Sequence, residues 1–488
     1  MKKSYQKTVY DTLVNAGSEF ILLPLLFIRM PILTKNLTAA EYGIWGLIFT
    51  TCSLSLTLTS LGLGSAMSRF LPSAKSSDEI REGFYSVLLL KFLISVALAF
   101  IFLIFSQFIS SNFFDNNHEL VKITSLLIVI TTIQPVYFRL LKILRKIKIL
   151  SFCKIIEGYG AVFLYALLLF SGHGLISILN AYIILKLSII FILIYNINSK
   201  YRFRWPLFSE IRQYFKYGLP TIPSSTSFWI VNLSDRYIIT FLLGSTSLGI
   251  YSAAYTIGSI PYIFSNLINF IMLVSLSKLY DNDEIDKVKM HLSYAAKYFF
   301  GIIIPFIFGS VICSKEILKI LTTEEISISG WYIIPIISIS YLFLGIYSLL
   351  NYTLLLAKKT KVLAYAWIIA MPINIILNIT VIPYFELLGA ALTTALSYFI
   401  AMCITAYFSL KELTFPLDIN FIFKSIFSSL VMVLFLIFYS PAGLPEIIFS
   451  ILFALIIYFT ILIFLRGFTK KEYELVKSVL QKSTSIKK

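Results

Sequence analysis

Fourteen stretches of this 488-residue chain are apolar over lengths that can cross a bilayer. A hydrocarbon core of about 30 Å requires roughly 17 to 25 helical residues per crossing. The approximate limits are 10–33, 42–68, 84–109, 123–138, 155–171, 175–197, 217–243, 249–277, 293–313, 330–355, 362–383, 388–410, 420–439 and 446–465. The fourth, at the short end of the range, carries the weakest signal. A backbone facing lipid must satisfy its own hydrogen bonds, so such stretches form α-helices. The expected fold class is therefore an all-α integral membrane protein with about 14 transmembrane helices. Only 13% of residues are charged, against about a quarter in soluble domains.

The first half of the chain is written again in the second. Gly43 returns as Gly249, Asp78-Glu79-Ile80 as Asp283-Glu284-Ile285, Lys91 as Lys297 and Arg29 as Arg236, all at offsets near 206. LRKIKIL from Leu144 returns as AKKTKVL from Ala357, at offset 213. Repeated halves in a membrane protein pack as two lobes around a central site, which opens to each side in turn. Two six-helix lobes, 1–199 and 200–411, are expected, as parallel repeats because each holds an even number of crossings. Helices over 412–465 are an appended pair, and 466–488 is a basic tail able to form a short interfacial helix.

The net charge of +17 would suit a nucleic-acid binder if it were concentrated in one domain. Instead the basic residues alternate between loops. With the N-terminus inside, only Lys35, Lys122, Lys315 and Lys319 fall outside, which puts both termini in the cytoplasm. The runs Lys142–Lys148 and Tyr201–Arg212 are short and lie between crossings, so headgroup contact and topology explain them, and nucleic acid is not expected. Cys52, Cys153, Cys313 and Cys403 form no CxxC pair, and His118, His173 and His291 show no ligand spacing. No metal, cofactor or catalytic residue is expected, nor a phosphate-binding loop for ATP.

Ionised groups at mid-membrane cost several kcal/mol and so mark candidate sites. Asn15, Glu19 and Arg29 lie on one stripe of the first helix, and Asn232 shares a helix face with Arg236 on the seventh. Neighbouring Asp235 and Arg236 point about 100° apart on an ideal helix and are not expected to neutralise each other. Arg29 and Arg236, as repeat equivalents, are expected to face one another across a cavity. Lys186 sits mid-helix, while Lys91 and Lys297 lie nearer the cytoplasmic ends. Glu157 falls near a helix end, where an interfacial role is expected. Asn266, Asn374 and Asn378 add polar faces. Six basic against four acidic residues (Asp11, Glu19, Glu157, Asp235) within the crossings give a cationic cavity suited to an anionic substrate.

The runs LTKNLTAAEYGIWGL, LTSLGLGSAMSRF, LSDRYIITFLLGSTSLGIYSAAYTIG and NIILNITVIPYFELLGAALTTALSYF resemble Wzx-type polysaccharide (O-antigen) flippases of the multidrug/oligosaccharidyl-lipid/polysaccharide exporter superfamily. The resemblance covers both halves of the chain. It implies translocation of an undecaprenyl-pyrophosphate-linked oligosaccharide (O-antigen, capsule or exopolysaccharide unit) across a bacterial cytoplasmic membrane by ion-coupled alternating access. On that reading Arg29, Arg236, Lys186, Lys91 and Lys297 form a cationic substrate site. Glu19, Asp235 and Glu157 are coupling or pairing candidates, and Asn15, Asn232, Asn266, Asn374 and Asn378 line the path. The partners implied are the lipid-linked oligosaccharide, membrane lipid, and a polysaccharide polymerase with its chain-length regulator; the protein itself is expected to be a monomer. Three alternatives stay open: a drug or cation exporter of the same superfamily, a flippase for lipid-linked peptidoglycan precursor, and a membrane polysaccharide polymerase or ligase.

Overall fold

The computed structural model describes Val14, residues 17–199, 201–265, Met272, Leu276, residues 279–439, 443–469, Glu472 and Glu474. Asp11, Asn15 and Asn266 lie outside these residues. No strand occurs among the described residues. Among the described residues, twelve helices are long and apolar enough to cross a membrane: α1 Gly17–Thr34, α2 Ala39–Ser60, α3 Ser77–Ile104, α4 His118–Ile143, α5 Ile147–Phe170, α6 Leu175–Asn198, α7 Ile211–Gly258, α8 Ile285–Leu321, α9 Ile333–Leu356, α10 Thr360–Glu412, α11 Ile419–Phe438 and α12 Pro445–Phe464.

Two of these are long enough for more than one crossing, at 48 residues for α7 and 53 for α10. Each is broken inside. Gly244 in α7 has φ 87°, and Glu386 in α10 has φ 49° and ψ −130°. The breaks fall between the seventh and eighth, and between the eleventh and twelfth, of the stretches expected from sequence.

Helix starts follow local chemistry. Thr38 and Glu41 form a reciprocal capping box ahead of α2. The Ser76 hydroxyl accepts from Glu79 N at α3, Asn117 Oδ1 from Glu119 N and Leu120 N at α4, and Asp418 Oδ1 from Phe421 N at α11. Each satisfies backbone donors that the first helical turn leaves without partners.

The repeated basic segment folds the same way twice. At the end of α4, Arg145 has φ 55°, and at the end of α9 Lys358 has φ 58°. Leu144, Arg145 and Lys146 donate backbone N–H to Leu140, Lys142 and Leu141, while Ala357, Lys358 and Lys359 donate to Thr353, Leu355 and Leu354. Every partner is displaced by the offset seen in the sequence. This is the left-handed helix stop that glycine usually makes, here built twice with a basic residue.

α4 runs further than its apolar signal suggested, over 26 residues, because His118, Glu119, Lys122, Arg139 and Lys142 occupy its ends. It is also the most enclosed crossing, with 72% of its most apolar window buried. A helix wrapped by other helices needs fewer lipid-compatible side chains. α5 begins at Ile147 rather than near 155, so Glu157 lies within the helix, three turns from its start.

The chain gathers into two compact units. The first comprises Met1–Ala253 with Leu321–Ile326 and Trp367–Ala390; the second comprises Ala254–Ile320, Ser327–Ala366 and Ala391–Lys488. In the first, Phe84, Val87, Val136, Tyr137, Leu140 and Leu193 form part of a core between α3, α4 and α6. In the second, Cys313, Phe421, Met432, Tyr458 and Leu462 join α8, α11 and α12.

Candidate functional site

The first unit places its polar groups along an aromatic row. On α2, Tyr42 and Trp45 stack at 5.7 Å between ring centres, and Trp45 meets Phe49 at 4.8 Å. Positions 42, 45 and 49 share one helix face. Phe49 then contacts Tyr182 of α6 at 5.4 Å, edge to face.

Cations stand over two of these rings. The Arg29 guanidinium of α1 lies 5.2 Å from the Trp45 ring centre, and the Lys186 ammonium of α6 lies 5.4 Å from that of Tyr182. Their surroundings differ. Lys186 Nζ is 2.5 Å from Glu157 Oε1 of α5 and donates to Gln134 Oε1 of α4 at 2.5 Å. Gln134 Nε2 donates to Glu157 Oε2 at 2.6 Å, and Tyr182 OH to Glu157 Oε1 at 3.3 Å. Three helices are thus tied by a closed charge-assisted network. Arg29 is half-buried and, among the described residues, has neither carboxylate nor hydrogen-bond partner. A guanidinium held over a ring in this way keeps N–H groups able to donate to an anion.

Asp235 and Arg236 depart from expectation. Arg236 Nη1 is 3.2 Å from Asp235 Oδ1 and donates to Asn232 O at 3.1 Å, so the adjacent charges do pair. The 100° separation describes where the two side chains leave the helix, but the long arginine folds back so that one Nη1 reaches both Asp235 Oδ1 and Asn232 O. Tyr251 OH also donates to Asp235 Oδ2 at 2.6 Å, and Asp235 is fully buried.

The remaining expected residues are dispersed. Glu19 pairs with Lys154 at 2.6 Å on an accessible surface. Asn374 and Asn378 are fully buried on α10, with Asn378 Nδ2 donating to Asn374 Oδ1 at 3.1 Å. Lys91 is buried in the first unit. In the second unit, Lys297 Nζ lies 2.8 Å from Glu472 Oε2 and 3.8 Å from Asp418 Oδ2, over the rings of Phe421 and Phe468.

Sequence reasoning passed over Gln134, Trp45, Tyr182, Lys154 and Glu472. Gln134 had a visible signal, as an amide followed by proline inside an apolar stretch. Glu472 had none, because nothing local links the tail to α8.

Burial acts to raise the Glu472 carboxyl pKa, but hydrogen bonds from Lys297 Nζ and from the Thr469 backbone and hydroxyl outweigh it, and the net value falls below the usual glutamate range. Such a carboxylate contributes stability that is complete above its unfolded-state pKa and fades as pH falls through the lower folded-state value. Limited proteolysis of the tail should therefore separate wild type from Glu472→Gln at neutral pH, with the variant cut faster, and the two should converge in acid. Equal cutting at neutral pH would contradict the tie.

α2 also meets the start of the broken second part of α7. A Cβ on Gly249 would overlap Ala39 O, and one on Gly43 would overlap Ser245 O and come within 2.7 Å of Gly249 N. The two glycines are the repeat-related pair, and each is required by the backbone of the other's helix. Gly249→Ala should cost about 1–3 kcal/mol by overpacking, read as a lower Tm. Gly17→Ala, with nothing within 4 Å of its Cβ, is the control and should leave Tm unchanged.

Long membrane-crossing helices define a multi-pass membrane protein, here with buried charges set along an aromatic row. The chain matches the polysaccharide biosynthesis protein family over residues 32–329, more than half its length, and belongs to that family. It is 24% identical over 260 residues to "Probable low-salt glycan biosynthesis flippase Agl15" of Haloferax volcanii, covering 52% of this chain and 55% of that protein. It is 28% identical over 219 residues to "Capsular polysaccharide biosynthesis protein CapF" of Staphylococcus aureus, covering 44% and 53%. The matches thus span about half the length of each relative. The solved structure of "Lipid II flippase MurJ, inward closed conformation" shares the fold, with a TM-score of 0.76 at 22% identity over 93% of this chain and 99% of that one.

Proposed function

We propose that this protein is a flippase that moves a pyrophosphate-linked oligosaccharide, carried on a polyprenyl lipid, across the cytoplasmic membrane by alternating access. The observation that carries this reading is Arg29, stacked on Trp45 and without an acidic partner among the described residues. A cation held over an aromatic ring in a membrane transporter suits an anion that arrives with its own negative charge. Relatives named as glycan-pathway flippases and a capsule biosynthesis protein support the glycan.

In this reading the chain crosses fourteen times, with the breaks at Gly244 and Glu386 parting the seventh crossing from the eighth and the eleventh from the twelfth, and with both termini cytoplasmic. Two six-helix lobes rock about the substrate. Ion coupling falls to Asp235, the fully buried member of the three candidate carboxylates. Lys186 and Glu157 serve as a tie within one lobe.

Deleting the gene in its native host tests the proposal. Lipid-linked oligosaccharide should build up on the inner leaflet and surface polymer should vanish, with recovery on complementation. Unchanged surface polymer in a host without a duplicate gene would reject the glycan assignment and favour an exporter.

A further inference from the structure

Lys91 and Lys297 are repeat equivalents, and their surroundings are opposite. Lys297 is neutralised by Glu472 and Asp418. Lys91 is 6% exposed and, among the described residues, has no hydrogen-bond or carboxylate partner. A lysine this largely buried without a counter-ion is costly to hold charged, unless a ligand supplies the opposite charge.

The neighbourhood of Lys91 adds a second cation. One turn before it, Val87 packs into the core with Val136, Tyr137 and Leu140 of α4, which carries Lys91 to the same interface. Arg139 lies three positions beyond Val136, on the same side of α4. The Arg139 guanidinium lies against Gly64, where an added Cβ would stand 3.0 Å from Nε, and its Nη1 donates to Ser68 Oγ at 2.9 Å. Gly64 and Ser68 belong to the run LTSLGLGSAMSRF, which no other part of the site uses. The glycine makes room for the guanidinium. The serine hydroxyl accepts one of its N–H groups and keeps its own hydrogen to donate. Arg139 and Ser68 are exposed, so the group can be reached from outside the unit.

We propose that Lys91, Arg139 and Ser68 form a second anion subsite, separate from Arg29, which holds the phosphate of a lipid-anchored ligand. An ammonium, a forked guanidinium and a hydroxyl with no competing carboxylate match a phosphate or pyrophosphate group. The source is the pyrophosphate of the transported lipid, an assignment that rests on the flippase reading. In the proposed orientation α3 starts and α4 ends on the cytoplasmic side, so this subsite takes the headgroup before Arg29 does.

The test uses the full-length protein in phosphatidylcholine nanodiscs, with a polyprenyl pyrophosphate and phosphatidylglycerol as separate probes. Lys91→Met and Arg139→Gln should each weaken polyprenyl pyrophosphate binding about tenfold or more and leave phosphatidylglycerol unaffected. Lys91→Arg should keep most of the affinity. Lys91→Met should also raise Tm, because an unpaired buried charge is removed, and this separates lost binding from lost folding. Equal loss of phosphatidylglycerol affinity would keep the anion site but make ordinary phospholipid its ligand. Unchanged binding of both probes, with Arg29→Ala still weakening the pyrophosphate lipid, would overturn the subsite and leave the flippase reading standing. A wild-type protein that binds no polyprenyl pyrophosphate would overturn the flippase reading, and the phosphatidylglycerol arm would then decide the subsite alone.

Discussion

Replacing Arg29 by alanine is expected to lower transport about a hundredfold while the protein still reaches the membrane and melts at nearly the wild-type temperature. Charge-assisted hydrogen bonds are each worth about 1.5–3 kcal/mol, and a guanidinium offers a pyrophosphate two in parallel, so losing the fork removes about 3 kcal/mol or more. Each 1.4 kcal/mol is roughly tenfold in rate. The folded protein loses little, since the contact given up is the stacking of Arg29 on Trp45 at 5.2 Å, worth about 0.5–1 kcal/mol in exposed settings. Arg29→Lys keeps the charge but not the flat fork and should recover only part of the rate. Flipping measured in proteoliposomes, beside Tm in detergent, separates the outcomes. A large fall in Tm with Arg29→Ala would mean that the arginine holds the fold rather than a ligand.

The second large effect concerns stability. Glu157→Ala should destabilise the first unit by about 3–5 kcal/mol, because it strands the Lys186 ammonium in a buried site. Lys186→Met should cost less, since Glu157 keeps the Gln134 amide and the Tyr182 hydroxyl. The double variant Lys186→Met/Glu157→Leu should return close to wild-type stability, because exchanging a whole buried pair for apolar groups is often neutral. A double-mutant cycle on the unfolding free energies checks this. Additive effects would show that the pair is not coupled, whatever its 2.5 Å separation suggests. A stable double variant that no longer transports would assign the network a role in the cycle beyond holding three helices together.

Much of the architecture was legible because its causes are local. Crossing length, loop charge and capping residues such as Thr38, Ser76 and Asn117 act within a few positions of each other. The repeated LRKIKIL and AKKTKVL segments even close with the same hydrogen bonds. α4 was underestimated because hydropathy measures compatibility with lipid, and this helix faces mostly protein. Glu157 was misplaced for a related reason. The basic residues before it suggested a loop, yet they form the first turns of α5.

The site was legible in composition and hidden in pairing. Sequence marked Arg29, Lys186, Lys91, Lys297 and Arg236 as intramembrane cations, since any such charge is expensive and needs a reason. It did not divide them by fate. Lys186 found Glu157 across two helices, Lys297 found Glu472 some 175 positions away in sequence, and Arg236 folded back on its neighbour. Among the described residues, Arg29 and Lys91 found no carboxylate.

The sequence by itself determined that this is a helical membrane protein with recurring short motifs and a surplus of basic residues in its apolar stretches, because hydrophobic length and the spacing of motifs are properties of the chain alone. Which of these charges meet a carboxylate was decided only by the tertiary structure. A salt bridge depends on a few ångströms between side chains from distant helices, and no one-dimensional pattern carries that distance.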